Sequence, residues 1–266
     1  MKSKINMVGG GFQHDVCSSA GYVPKLIEWT KDFSSSRSIH IDHAIFTQKP
    51  SKTTKNYAWL VESRTIIPNV YQLAENNVSF LEQEYDLIFT HDKRLLSLSN
   101  KFKYVICNGK SWVKDFDNRN KTKLISMIAS SKVMCKEHMY RQELIKKFKD
   151  QVDHFGRGFN EISTKDIGLF DYQFSIAVEN GVYDLMFTEK ITDCFASKVI
   201  PIYWGSRAVT SIFNQDGIIF LDDDFRVENI EKDLYYEKMD AIEENFEISN
   251  NLPIAEDFIF ENYLND

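Results

Sequence analysis

The chain has 266 residues, 43% hydrophobic, 27% charged and 14% aromatic, enough for one large or two modest cores, and intrinsic disorder is excluded. With 32 Lys and Arg against 39 Asp and Glu, the net charge of −7 speaks against a nucleic-acid partner but allows a local basic pocket around one small anion. No apolar run reaches the ~18 residues of a membrane span, and no signal-peptide core follows Met1.

Taken in chain order, the first strand signal covers residues 5–8 and runs into Gly9-Gly10-Gly11. A helix is expected around Val23, Leu26 and Ile27, with Pro24 in its first turn. Residues 39–46, 57–62, 87–90 and 104–107 read as buried strands, and the charged stretch 114–121 as a linker. The pattern then restarts with a strand at 124–129 and a helix at 141–148 with Leu144, Ile145 and Phe148 on one face. A short strand at 152–155 ends in Gly156-Arg157-Gly158. Strand 172–178 sets Tyr172, Phe174, Ile176 and Val178 on one face. A helix over 188–196 and strands at 199–204 and 217–221 follow. From about Asn229 the chain is acidic and helical, closing with an amphipathic piece at 255–264. This alternation predicts an α/β fold of two tandem domains facing a cleft, 1–118 and 119–228, with 229–266 as helices packed on them. The 4 cysteines (Cys17, Cys107, Cys135, Cys194) lack metal or disulfide spacing, so reduced thiols in a cytoplasmic protein are expected.

The window with most chemistry is Phe174 to Asn180, then Thr188-Glu189-Lys190, then Pro201-Ile202-Tyr203-Trp204-Gly205. Glu179 and Asn180 fall at the carboxyl end of a strand, where open parallel sheets hold ligands. Thr188 is a good N-cap for the next helix. Its first turn offers amides and partial positive charge to an anion. Lys190 is unfavourable there for the dipole alone, so a bound anion accounts for it. Glu189 has the chemistry to accept from two ribose hydroxyls. A capped surface helix with solvated Glu and Lys is the bland alternative.

This window resembles the donor-binding signature of glycosyltransferase family 10, the α1,3/4-fucosyltransferases: F-x-F-E-N, then Y-x-T-E-K, then P-x-Y-W-G. Upstream, Arg141-Gln142-Glu143-Leu144 and Val152-Asp153-His154-Phe155-Gly156-Arg157-Gly158 are similar to the family's arginine-headed helix and V-D-x-Y-G-R segment. The resemblance covers roughly 130–225. It implies two Rossmann-like domains in the GT-B arrangement, the first on the acceptor side and the second holding GDP-fucose. It further implies that Arg141 and Lys190 neutralise the diphosphate, Glu189 holds ribose, and Glu179 and Asn180 line the pyrophosphate and sugar. Where bacterial members carry Tyr three residues before the motif Glu, this chain has Met186, with Phe187 beside it as a replacement aromatic contact.

The implied reaction is inverting transfer of fucose to a saccharide hydroxyl in glycan biosynthesis, with no required cofactor because cationic side chains meet the leaving group. It needs a base. Glu62 is favoured, at the end of a first-domain strand and ahead of Pro68-Asn69, in a context resembling the family's acceptor-side acid. His14, just past the glycines, is the next candidate for the base or an acceptor contact. Two other readings stay open. Asp222-Asp223-Asp224 after a strand is how metal-dependent nucleotide-sugar transferases hold a cation; alternatively, the chain is a non-catalytic nucleotide- or glycan-binding module. Neither acceptor, linkage nor oligomeric state is written in the sequence.

Overall fold

Short β-branched and aromatic runs, separated by segments of helix length, assemble into two parallel sheets in a computed structural model. It describes residues 2–10, 16–52, 55–107, 109–117 and 119–265. His14 lies outside them. The chain divides into two compact units: Met1–Asn108 with Tyr183–Met186 and Pro253–Asp266, and Gly109–Val182 with Phe187–Leu252.

The first unit contains β1 (Ser3–Val8), β2 (Ile27–Thr30), β3 (Arg37–Ile41), α1 (Ala44–Thr47), β4 (Lys55–Trp59), α2 (Pro68–Asn76), α3 (Val78–Glu84), β5 (Leu87–Thr90), α4 (Lys93–Leu96) and β6 (Phe102–Tyr104). Its sheet runs β2-β1-β3-β4-β5-β6, parallel throughout. The order reverses between β1 and β3, and such a switch point opens a ligand crevice beyond the carboxyl ends. Ile45, Ala58, Leu60, Tyr71, Leu81 and Ile88 are among the residues that fill the core.

Two expectations fail here. The helix around Val23–Ile27 does not form: the Lys25 and Leu26 amides donate to the Asp257 carboxylate at 2.9 and 3.0 Å, and Ile27 onward pairs in parallel with β1. The strand expected over 39–46 stops at Ile41, because Asp42 takes φ +48° and turns the chain into α1.

The second unit contains β7 (Lys123–Ile128), α5 (Lys136–Lys147), β8 (Asp153–Phe155), β9 (Tyr172–Val178), α6 (Glu189–Ala196), β10 (Ile200–Trp204), β11 (Ile219–Phe220), α7 (Lys232–Glu237) and α8 (Met239–Asn251). The sheet order β11-β10-β9-β7-β8, again all parallel, is a doubly wound order whose switch point lies between β7 and β9. All seven residues of β9 are buried, so its alternate positions Gln173, Ser175 and Ala177 face a second covered side rather than solvent. Ser126 and Ser175 satisfy each other there at 3.0 Å. After β8 the chain turns at Gly156 (φ +122°), where a Cβ would lie 2.1 Å from the Ala129 carbonyl oxygen.

The last segment, expected as one set of packing helices, is shared between the units. α7 and α8 belong to the second. α9 (Ala255–Ile259) and a π-helical turn (Phe260–Leu264) belong to the first, where Glu256 accepts from Ser18 and Asp257 from Lys25 and Leu26. All 4 cysteines are free. Among the described residues no helix is long and apolar enough to cross a membrane.

Candidate active site

The carboxyl end of β9, on the switch-point side of the second sheet, organises the charged residues there. Arg141 comes from α5: Nη2 donates to the Val178 carbonyl at 2.7 Å and to Asn180 Oδ1 at 2.6 Å, and Nε to Val178 at 3.1 Å. The guanidinium is 8% exposed, all its acceptors are neutral, and it forms no ion pair among the described residues. Burial pulls its pKa below the usual arginine value, and the more distant Glu179, Cys135, Glu189 and Glu137 work against that. A buried cation without a direct counter-ion is costly unless an anion joins it.

Glu179 does a different job from the one the resemblance implies. It is fully buried; Oε1 accepts from the Thr188 amide at 2.9 Å, and Oε2 from the Thr188 hydroxyl at 2.7 Å. The Tyr203 hydroxyl adds a 3.4 Å contact. Both oxygens are therefore committed to fixing the start of α6 rather than lining a ligand. Thr188 caps α6 by accepting from the Lys190 amide. With the Thr188 and Lys190 amides occupied, the positive charge at this helix start comes chiefly from the Lys190 ammonium. That group donates to Thr188 Oγ1 at 3.0 Å and lies 3.3 Å from Glu189 and 3.8 Å from Glu179.

Glu189 feels two cations. Lys190 and Lys165 both approach Oε1, at 3.3 and 3.5 Å. Burial pushes this carboxyl up, but the two ammonium groups outweigh it and hold it down at about 2. It is an acceptor at any physiological pH. Arg141 and Lys190 come from separate helices but share one field: burial lowers the pKa of His138 on α5, and both cations push it further down.

Lys165 and Asp193, absent from the sequence reading, complete this network. Nothing in their local pattern marks them, because Lys165 opens a single 3-10 turn and Asp193 reads as a helix polar position. Met186 and Phe187, expected as nucleotide contacts, are each 2% exposed. Phe187 packs edge-on to Phe213 with centroids 5.4 Å apart, so its ring serves the core. In the rival aspartate run, Asp222 pairs with Arg207 at 2.9 Å and accepts from the Asp224 amide. Among the described residues no three His, Cys, Asp or Glu side chains gather as a metal site.

In the first unit, Glu62 lies just past β4, exposed. Its peptide is held from two sides. The buried Tyr71 hydroxyl donates to its carbonyl at 2.8 Å, and Asp42 Oδ1 accepts from the Val61 and Glu62 amides at 2.8 and 3.4 Å. Asp42, also missed from sequence, sits at the switch point after β3. Burial and the neighbouring Glu62 charge raise its carboxyl to about 7 against the pull of the Val61 amide.

Parts of the chain match known proteins. Residues 118–246 match the model of the glycosyltransferase family 10 (fucosyltransferase) C-terminal domain. A 66-residue stretch is 38% identical to the α-(1,3)-fucosyltransferase FucT of Helicobacter pylori, covering 25% of this chain but 14% of that protein. A solved α1,3-fucosyltransferase superposes with TM-score 0.56 at 16% identity, over 100% of this chain and 90% of the other. The structure of such an enzyme with GDP-fucose gives 0.54 at 16%, over 96% and 93%. TarM gives 0.54 at 12%, over 86% and 54%. At these identities the structural likeness is one of fold. The sequence match is the stronger likeness: residues 118–246, which carry Arg141, Asn180, Glu189 and Lys190, are similar to the C-terminal domain of glycosyltransferase family 10.

Proposed function

We propose that the chain is an inverting fucosyltransferase that moves fucose from GDP-fucose to a saccharide hydroxyl, in the manner of the α1,3 enzymes. The observation that carries the reading is Arg141, a buried guanidinium bonded to neutral acceptors at the carboxyl end of β9, beside the family's Asn180 and Thr188-Glu189-Lys190. A nucleoside diphosphate supplies the direct counter-ion that Arg141 lacks. Arg141 meets it through Nη1, the guanidinium nitrogen not engaged by Val178 and Asn180, Lys190 acts as a point charge, and Glu189 accepts from the ribose hydroxyls. Asn180, its oxygen accepting from Arg141, stands beside the same cation.

In the reaction Glu62 takes the proton of the acceptor hydroxyl as the oxygen attacks the anomeric carbon, and the bond to the diphosphate breaks on the opposite face. The charge developing on the leaving diphosphate is stabilised by Arg141 and Lys190, so no metal cofactor is required in this mechanism. Free and mostly buried cysteines fit a reducing compartment such as the cytoplasm. The test is incubation with GDP-fucose and a panel of saccharide acceptors in EDTA, with UDP- and CMP-sugars as controls. Acceptor-dependent GDP release supports the proposal. GDP binding with no release on any acceptor favours a binding module, and activity restored only by added metal favours the aspartate run.

A further inference from the structure

Glu189 and Asp193 are four residues apart on α6, so two carboxylates share one face of a short helix and repel each other. Lys165 bridges them, pairing with Asp193 Oδ2 and lying 3.5 Å from Glu189 Oε1. The bridge is rigidly mounted. Asp193 Oδ1 accepts from the Ser111 hydroxyl at 2.9 Å and from the Trp112 and Val113 amides at 2.6 and 3.2 Å. The Lys165 ammonium stands 4.2 Å from the centre of the Trp112 ring, a cation–π contact that fixes it from another side. Both lysines near Glu189 approach the same oxygen, Oε1, and among the described residues no side chain is found bonded to Oε2.

We propose that Lys165 is a positioning residue for nucleoside recognition: anchored on Asp193 and Trp112, it holds Glu189 Oε1 so that Oε2 is kept for the hydroxyls of the bound ribose. This rests on the reading that the unit binds a nucleoside diphosphate with Glu189 at the sugar. A purely structural Lys165 would only relieve the Glu189–Asp193 repulsion, so the decisive readout is discrimination between ligands and not affinity alone.

Calorimetry with GDP and 2′,3′-dideoxy-GDP, on the whole chain, separates the cases. A hydrogen bond to a charged acceptor predicts that wild type prefers GDP by about tenfold or more. In Lys165→Met that ratio falls to within about twofold, and Lys165→Arg restores it because a cation again bridges the acids. Should Lys165→Met fail to melt cooperatively, Lys165→Gln keeps a donor for Asp193 without the charge and is expected to lose the preference as well. A folded Lys165→Met or Lys165→Gln with the wild-type ratio overturns the role of Lys165 while leaving the donor reading intact. Wild type that binds both ligands equally, or neither, overturns the ribose reading and this proposal with it.

Discussion

The carboxyl edges of the two sheets solve opposite electrostatic problems. In the second unit, carboxylates and cations interlock through Glu179, Lys190, Glu189, Lys165 and Asp193, and Arg141 alone stays without a direct counter-ion. In the first unit, Asp42 and Glu62 stand together, and Asp42 is stabilised by backbone amides rather than by a cation. One edge sets a guanidinium apart from its carboxylates, and the other sets two carboxyl groups side by side. The difference is what a leaving diphosphate and a proton-accepting base separately require.

The largest effect that can break this contrast is on turnover. Glu62→Gln removes the proposed base but none of the charged residues around Arg141. Its kcat is expected to fall by about 10²–10⁴-fold with GDP affinity unchanged in calorimetry; normal turnover would remove Glu62 from the mechanism. Asp42→Asn sharpens the same edge through pH. The folded carboxyl is raised from 3.8 to about 7, so its contribution favours the folded state most below pH 3.8 and is lost as pH rises to about 7. The variant should therefore melt higher relative to wild type at pH 8 than at pH 4, and a pH-independent difference would contradict the burial argument.

Smaller effects probe the second edge. Thr188→Ala deletes the α6 cap and the hydroxyl partner of Glu179, at a cost of about 1 kcal/mol. Thermal unfolding should shift by roughly 2–4 °C. Asp222→Asn touches an exposed ion pair with Arg207, and both stability and EDTA-insensitive activity should stay within about 0.5 kcal/mol of wild type. A large loss there would revive a metal role for the aspartate run.

Much of this was legible in the residues because it is local. The cap at Thr188, the strand Tyr172–Val178 and the helix bearing Arg141 follow from periodicity and capping chemistry, and the proposed donor motif from its resemblance to family 10. What escaped is non-local. β2 forms because Asp257, from the far end of the chain, takes the Lys25 and Leu26 amides. Asp42 gains its character from a turn beside β4, and Lys165 from two acids that only the folded helix aligns. Glu179 belongs to a recognisable motif yet spends both oxygens on Thr188, so its role was misjudged although its place was not. Phe187 went the same way, into the core against Phe213.

The central claim is that Arg141 is a buried cation awaiting a diphosphate. Titration of GDP and of guanosine into wild type and Arg141→Ala, each shown to be folded by its melt, tests it most directly. The account predicts that GDP affinity drops at least about a hundredfold in the variant, as loss of a buried, charge-assisted contact implies, while guanosine binds both proteins alike. Equal GDP affinity in the two proteins would contradict it.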